Sequence, residues 1–356
     1  MARHSPSLRI RGALPLIGVV AVAFAVRLVP VLATADGLLG APNYDPSVYY
    51  AAAVGFFDGR LPYRDFLLLH PPGIVLLLQP FAALGEWVGD PAAFATARVA
   101  VMVGGAASAG LVFVLLRRGG LLSALTGAGL YAIHPAAAHV ERATWLEAPS
   151  TLLALLALVA LRPSAPSVRS WRTVLAGALL ATATLTKLWG VALLAVVVVW
   201  ILATRGVRAA LAAVLGAAGA AVLVLAPFWS VLPALWTDAV TAQLQRPSVR
   251  TDLVLRAGML LGMDQATATG LPAALVIGLC LVVLAVAVLA VRSPSGRLSV
   301  CLLAASVGML LTTASWYANY PAFAAAPLAL AVGSSVSLVA GRLRPPGRRA
   351  LGLVAG

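Results

Sequence analysis

The strongest constraint on this chain is a succession of long apolar runs separated by short basic clusters. The runs fall at 13–33, 71–88, 93–116, 121–138, 148–161, 173–186, 188–204, 209–228, 270–291, 298–314 and 321–341. A helix crossing a bilayer needs about 20 predominantly apolar residues. With 62% hydrophobic and only 10% charged residues in 356, the sequence carries more apolar surface than a water-soluble core of this length could bury. The runs are continuous rather than alternating, which selects helices over a membrane barrel. The expected fold is an all-α polytopic membrane protein.

Charge sorts the loops. Arginine clusters lie before residue 13, at Arg117 and Arg118, at Arg162, Arg169 and Arg172, at Arg205 and Arg208, at Arg292 and Arg297, and from Arg342 onward. If every run crossed, Arg117, Arg118 and all later clusters would lie outside, against the rule that loop arginines stay cytoplasmic. If 71–88 does not cross, the sixteen clustered arginines share the cytoplasm and all eleven Asp and Glu lie opposite. That run opens on Pro71 and Pro72, contains Pro80, and carries Gln79 and Glu86, so it reads as a helix on the outer surface. The expectation is about ten transmembrane helices plus this surface helix. One transmembrane domain spans 1–341, with outer loops at 34–92 and 229–269, and a basic cytoplasmic tail at 342–356 meets the inner leaflet. Ala33-Thr34-Ala35 resembles a signal-peptide cleavage site, but Arg27 and Pro30 precede it, so the first span is expected to be retained. The chain is assigned to the cytoplasmic (inner) membrane, with membrane lipids as partners. The net charge of +14 follows from loop arginines, so no nucleic-acid partner is expected. Cys280 and Cys301 lie inside apolar runs and read as small core residues. With four His, they give neither a disulfide framework nor a metal spacing. A divalent metal cofactor is left open.

Polar side chains at the outer ends of spans are costly, roughly 2.5–3.5 kcal/mol for a charge at mid-span, which makes them candidates for function. Asp45, flanked by Tyr44, Tyr49 and Tyr50, can be a partly desolvated general base or a helix cap before Pro46. Asp65 and His70 can bind a phosphate- or hydroxyl-bearing substrate or close turns. His139 to Glu147 packs Glu141, Arg142, Trp145 and Glu147 into one short connection. Lys187 is the only lysine in the chain and stands at the outer face, where it needs an anion such as a phosphate, or snorkels to headgroups. Asn319 and Tyr320 can donate hydrogen bonds inward or serve an interfacial aromatic belt. Arg27 is expected to pair with an outer-loop carboxylate.

In their order and common sidedness, these residues resemble the membrane-embedded GT-C glycosyltransferases, the bacterial relatives of protein O-mannosyltransferases and lipid A aminoarabinose transferases. The resemblance rests on Asp45 with Tyr49, Gly59, Pro62-Tyr63, Asp65, His70-Pro71-Pro72, Arg98, Glu147-Ala148-Pro149, Thr186-Lys187 and Tyr317 onward. It implies a GT-C-like fold and transfer of a hexosyl or pentosyl unit from a polyprenyl-phosphate-linked sugar at the outer face. Asp45 would activate the hydroxyl of a lipid, glycan or protein acceptor, with inversion at the sugar carbon. Lys187, with Arg142, His70 and Tyr320, would hold the donor phosphate. Tyr49, Asp65, Glu141, Glu147 and Asn319 would line the substrate. Pro46 stands where many relatives carry a second acid. Many relatives also carry a soluble outer domain that helps hold the acceptor; here acceptor recognition is expected to use 229–269, which includes Gln243, Arg246 and Arg250, or a partner, or to involve a small lipid acceptor. The competing classes are a non-enzymatic lipid or solute transporter, which intramembrane charge would also suit, and an envelope scaffold. A transporter would more often show internal repeats and mid-membrane polar groups.

Overall fold

A computed structural model describes residues 6–40, 43–163, 169–248 and 252–343. The tail from 344 and Arg250 lie outside the described residues. The elements are α1 (Pro6–Leu32), α2 (Tyr44–Phe57), α3 (Gly73–Val88), α4 (Asp90–Leu116), α5 (Leu121–Ile133), α6 (Pro135–Val140), α7 (Glu147–Leu161), α8 (Ser170–Thr186), α9 (Gly190–Arg205) and α10 (Val207–Leu225). The second half holds the short α11 (Leu232–Trp236) and α12 (Ala242–Leu244), then α13 (Leu253–Leu260), α14 (Gln265–Gly270), α15 (Ala273–Ala290), α16 (Pro294–Leu311) and α17 (Ala322–Leu343). Among the described residues the sole β pairing is an isolated bridge between Pro62 and Phe66.

The molecule is a multi-pass membrane protein. Among the described residues six helices are long and apolar enough to cross a bilayer on their own. The sequence leads to a larger number because α5, α7 and α9 are apolar but only 13 to 16 residues long. At 1.5 Å per residue such helices reach about 20–24 Å, short of a hydrocarbon core of about 30 Å. Only 11% of α15's apolar stretch is buried inside the protein, so its surface is suited to lipid rather than to a core. Cys280 and Cys301 are exposed, which corrects the core reading: they stand on outward faces of α15 and α16.

The helices antiparallel to one another sort the chain into two ends. Arg27 near the end of α1 pairs with Glu141, and Arg98 near the start of α4 donates to Leu38 O and Gly40 O. Glu147 at the start of α7 meets Lys187 just past α8 and Asn319 just before α17. These groups therefore share one end of the bundle, whereas Arg117, Arg118, Arg162 and Arg172 sit on the opposite ends of α4, α7 and α8. Helix α3 starts against the last turn of α8: a Cβ on Gly73 would stand 2.6 Å from Leu185 O. It ends one residue before α4, at the turn made by Gly89 with φ of 80°. Both ends of α3 thus lie at the acidic end, and it packs with α2 and Phe228 across that end rather than through the bundle.

Small residues set the closest helix pair. A Cβ on Gly177 of α8 would fall 1.9 Å from Ala213 O of α10, and one on Gly216 of α10 would fall 2.0 Å from Val174 O of α8. The two backbones touch where each supplies a glycine to the other, as small-residue seams allow in lipid. Gly177→Val is expected to force them apart at about 1–3 kcal/mol, the usual cost of overpacking. A melting temperature in detergent equal to wild type would contradict this packing.

Candidate functional site

The loop between α2 and α3 is built to hold one histidine in place. Tyr63 adopts a left-handed backbone, φ 68°, unusual for a residue with a side chain. Its amide donates to Phe66 O at 2.9 Å and its buried phenol donates to His70 O at 2.7 Å. Asp65 accepts from the Leu61 amide at 2.6 Å and pairs with Arg64 at 2.8 Å. The Arg64 and Leu61 hydrogen bonds hold its exposed carboxyl down at about 2. The edge of the His70 ring meets Tyr49 at 5.6 Å between centroids.

At the start of α2, Asn43 is the N-cap, its side chain accepting from the Tyr44 amide at 2.7 Å. Asp45 therefore does not serve as the cap. Among the described residues no group donates a hydrogen bond to its carboxylate. It half-faces a cavity of about 270 Å³ that is also lined by Tyr49, His70, Lys187, Arg246 and Tyr320. Burial raises the Asp45 carboxyl above its ordinary 3.8; Lys187 and Arg246 oppose the shift and Glu147 adds to it. Burial, then the charges of Lys187 and Arg246, hold His70 well below 6.5. The imidazole is therefore neutral at pH 7. Burial pushes the Tyr49 phenol up, with the Asp45 charge adding to it, and Tyr320 rises to about 12, also chiefly through burial.

Beneath the cavity Lys187 Nζ sits 3.0 Å from Glu147 Oε1, and Asn319 Nδ2 donates to the same oxygen at 2.8 Å. The ammonium lies 4.3 Å from the Trp189 ring centre and 5.5 Å from that of Tyr320. Lys187 thus has in Glu147 the anionic partner that its position calls for, so it is not a lone cation. The second Glu147 oxygen is buried without a hydrogen-bond partner. Arg246 differs. Its guanidinium lies over the Tyr317 ring at 5.7 Å and interacts with the Tyr320 phenol, and among the described residues no carboxylate pairs with it. Within the cavity it faces the Asp45 carboxylate without forming an ion pair with it.

The structure thus gathers Asp45, Tyr49, His70, Lys187, Asn319 and Tyr320 around one space, with Glu147 below it. Three expected site residues stand elsewhere. Asp65 is exposed and spent on its own turn. Glu141 is buried in a cluster in which Arg27 ion-pairs with it and the Tyr131 phenol donates to it. Arg142 donates to Val26 O at 3.1 Å and lines a separate cavity with Arg98 and His139. Reading the loop 139–147 as one cluster missed that only its last residue turns toward Asp45. Arg246 was expected to serve acceptor recognition, and nothing in its local sequence distinguishes it from other loop arginines. Among the described residues no group of three or more His, Cys, Asp or Glu could hold a metal ion.

Comparison with known proteins gives the family and the fold of the chain. The family model described as Glycosyltransferase family 87 matches residues 68–315, more than half of the chain. His70, Glu147, Lys187 and Arg246 fall inside that stretch; Asp45 precedes it, and Asn319 and Tyr320 follow it. Among solved structures, ArnT from Cupriavidus metallidurans bound to undecaprenyl phosphate matches with 18% identity and a TM-score of 0.66 over 96% of this chain. Apo ArnT from the same organism matches with 18% identity and a TM-score of 0.63 over 95% of this chain. The chain spans 62–63% of the length of these ArnT chains. The Saccharomyces cerevisiae Pmt1-Pmt2 protein O-mannosyltransferase complex, bound to its sugar donor, matches with 18% identity and a TM-score of 0.45 over 64% of this chain and 33% of that one. No curated protein matches. The ArnT likeness establishes a GT-C-type fold over nearly the whole chain.

Proposed function

This chain belongs to glycosyltransferase family 87, and from that premise we propose that it moves a sugar from a polyprenyl-phosphate donor to an acceptor hydroxyl, with Asp45 as general base. The observation that carries this reading is the cavity in which a half-buried, raised carboxylate faces Lys187 and Arg246. The acceptor O–H gives its proton to Asp45 as its oxygen attacks the anomeric carbon from the face opposite the phosphate. The carbon–oxygen bond to phosphate breaks, and the lipid phosphate leaves with the electron pair, so the sugar carbon inverts. Positive groups aimed at the leaving oxygen lower the barrier most when they are fixed in advance. Because Glu147 pairs with Lys187, Arg246 supplies a guanidinium free of an ion pair to meet the phosphate, Lys187 a held ammonium, and Tyr320 a phenol that stays protonated at neutral pH. Tyr49 and neutral His70 bound the space between Asp45 and the phosphate.

A lipid donor also needs an apolar path. An open, almost wholly apolar cavity of about 340 Å³ lies between α13, α15, α16 and α17. It includes Ala324, one helical turn after Tyr320, which suits a polyprenyl tail running from the site into the bilayer. The arginine clusters at the far end of the bundle support placing this cavity at the outer face of the cytoplasmic membrane.

The test is transfer in proteoliposomes supplied with a panel of polyprenyl-phosphate sugars and candidate lipid, glycan and peptide acceptors, with free polyprenyl phosphate measured alongside product. One donor should yield both in equal amounts. Consumption of a nucleotide sugar in place of the lipid donor would contradict the proposal. The pH profile follows from the base. Asp45 must be ionised to accept a proton, so kcat/KM should fall as pH drops through a value above 3.8. His70→Gln should keep that acid limb, because in this reading the Asp45 carboxylate and not the imidazole accepts the proton. An acid limb that moves with His70→Gln would reassign the base.

A further inference from the structure

At the end of the bundle opposite Asp45, four arginines turn onto one space. Arg117 and Arg118 follow α4, Arg162 ends α7, and Arg172 lies in the first turn of α8; together with Val114 and Val159 they line a cavity of about 180 Å³. None of the four has a carboxylate partner: the ion pairs among the described residues use Arg27, Arg60, Arg64 and Lys187. The neighbouring residues 164–168 contain no acid that could supply one. Arg172 Nε is buried with no hydrogen-bond partner.

Two ordinary explanations fall short. A preference for cytoplasmic arginine accounts for cations at this end, but not for four of them converging on one cavity. Helix C-termini attract cations, yet the last carbonyls of α7 are already taken: Arg205 Nη2 donates to Leu161 O at 2.9 Å and to Arg162 O at 3.3 Å. Arg162 meanwhile adopts a left-handed backbone, φ 46°, uncommon for a residue with a side chain. Arg117, Arg118 and Arg162 are exposed around this cavity and Arg172 is half-buried in it, so an anion seated among them would be attracted by several charges at once. Their planar forks match phosphate oxygens, two at a time.

We propose that this cavity binds the phosphodiester headgroup of an anionic phospholipid from the leaflet opposite the reaction cavity. Trp171 beside it is 56% exposed, with the Arg172 guanidinium 5.4 Å from its ring centre. An exposed indole at a helix end marks the headgroup level of a membrane. The exposed faces of Val174 and Leu175 continue from it along α8 and give an acyl chain a place to lie.

The experiment is lipid binding to the purified full chain in mild detergent, followed by native mass spectrometry, with phosphatidylglycerol, phosphatidylcholine and inorganic phosphate as probes. Wild type should retain phosphatidylglycerol in preference to phosphatidylcholine. The R118Q/R162Q variant should bind it at least tenfold more weakly, and the single R172Q variant should weaken in the same direction. R292Q/R297Q removes the same charge from the same end without touching this cavity, and should bind like wild type. Equal weakening in R292Q/R297Q would overturn the site in favour of general surface charge. Tight binding of inorganic phosphate with no preference for phosphatidylglycerol would overturn the lipid as its ligand.

Discussion

Asp45→Asn is expected to lower sugar transfer by about 10²- to 10⁴-fold, the usual worth of a positioned general base, while leaving the fold and donor binding in place. The fold should persist because Asn43, not Asp45, caps α2, and because the Asp45 carboxylate makes no hydrogen bond among the described residues. Removing a half-buried negative charge also relieves a desolvation cost, so the variant should melt at or slightly above the wild-type temperature. Donor affinity should hold or rise, since the lost charge would otherwise repel the phosphate. A variant that is inactive and also fails to bind donor would point to a structural role. One that transfers sugar at the wild-type rate would remove Asp45 from the reaction.

Arg27→Leu is expected to destabilise the protein by about 3–5 kcal/mol, enough to prevent accumulation in the membrane, by leaving a buried carboxylate uncompensated. Arg27 and Glu141 are 0% and 1% exposed. The guanidinium also donates to Ala23 O at 2.7 Å and Ala132 O at 3.0 Å, tying α1 to the end of α5. Tyr131 closes the far side of Glu141. The pair as a whole need not be stabilising, since taking both charges out of water costs about what their attraction returns. The double variant Arg27→Leu with Glu141→Leu should therefore recover most of the loss, whereas either single variant should not. Equal losses in single and double variants, read as expression level and melting temperature, would show that packing rather than charge decides. The consequence for function is positional: this cluster anchors the connection that carries Glu147 to Lys187.

Much of this arrangement was legible in the sequence because membranes punish polar groups. Asp45, His70, Lys187 and Asn319 stand out against apolar surroundings, and the loop charges assign them to one end. The pairing of Arg27 with an outer-loop acid was readable for the same reason. What stayed hidden needed three-dimensional contacts. Glu141 and Glu147 are six residues apart, yet one turns toward Arg27 and the other toward Lys187, a choice made by the break between α6 and α7. Asp65 looked like a ligand until the left-handed turn at Tyr63 drew it onto the Leu61 amide. Arg246 is one arginine of several in a long connection, and only the return of that connection over α2 brings it beside Tyr320. The count of crossings was blurred by helices too short to span alone.

The account rests on one cavity doing both jobs, holding a lipid-borne phosphate and presenting a base. The most direct measurement is a structure of the full chain in a lipid nanodisc with a polyprenyl phosphate. Phosphate density against Arg246, Lys187 and Tyr320, facing Asp45, is the predicted result. Phosphate seated instead between Arg98 and Arg142, with the Asp45 cavity empty, would contradict it.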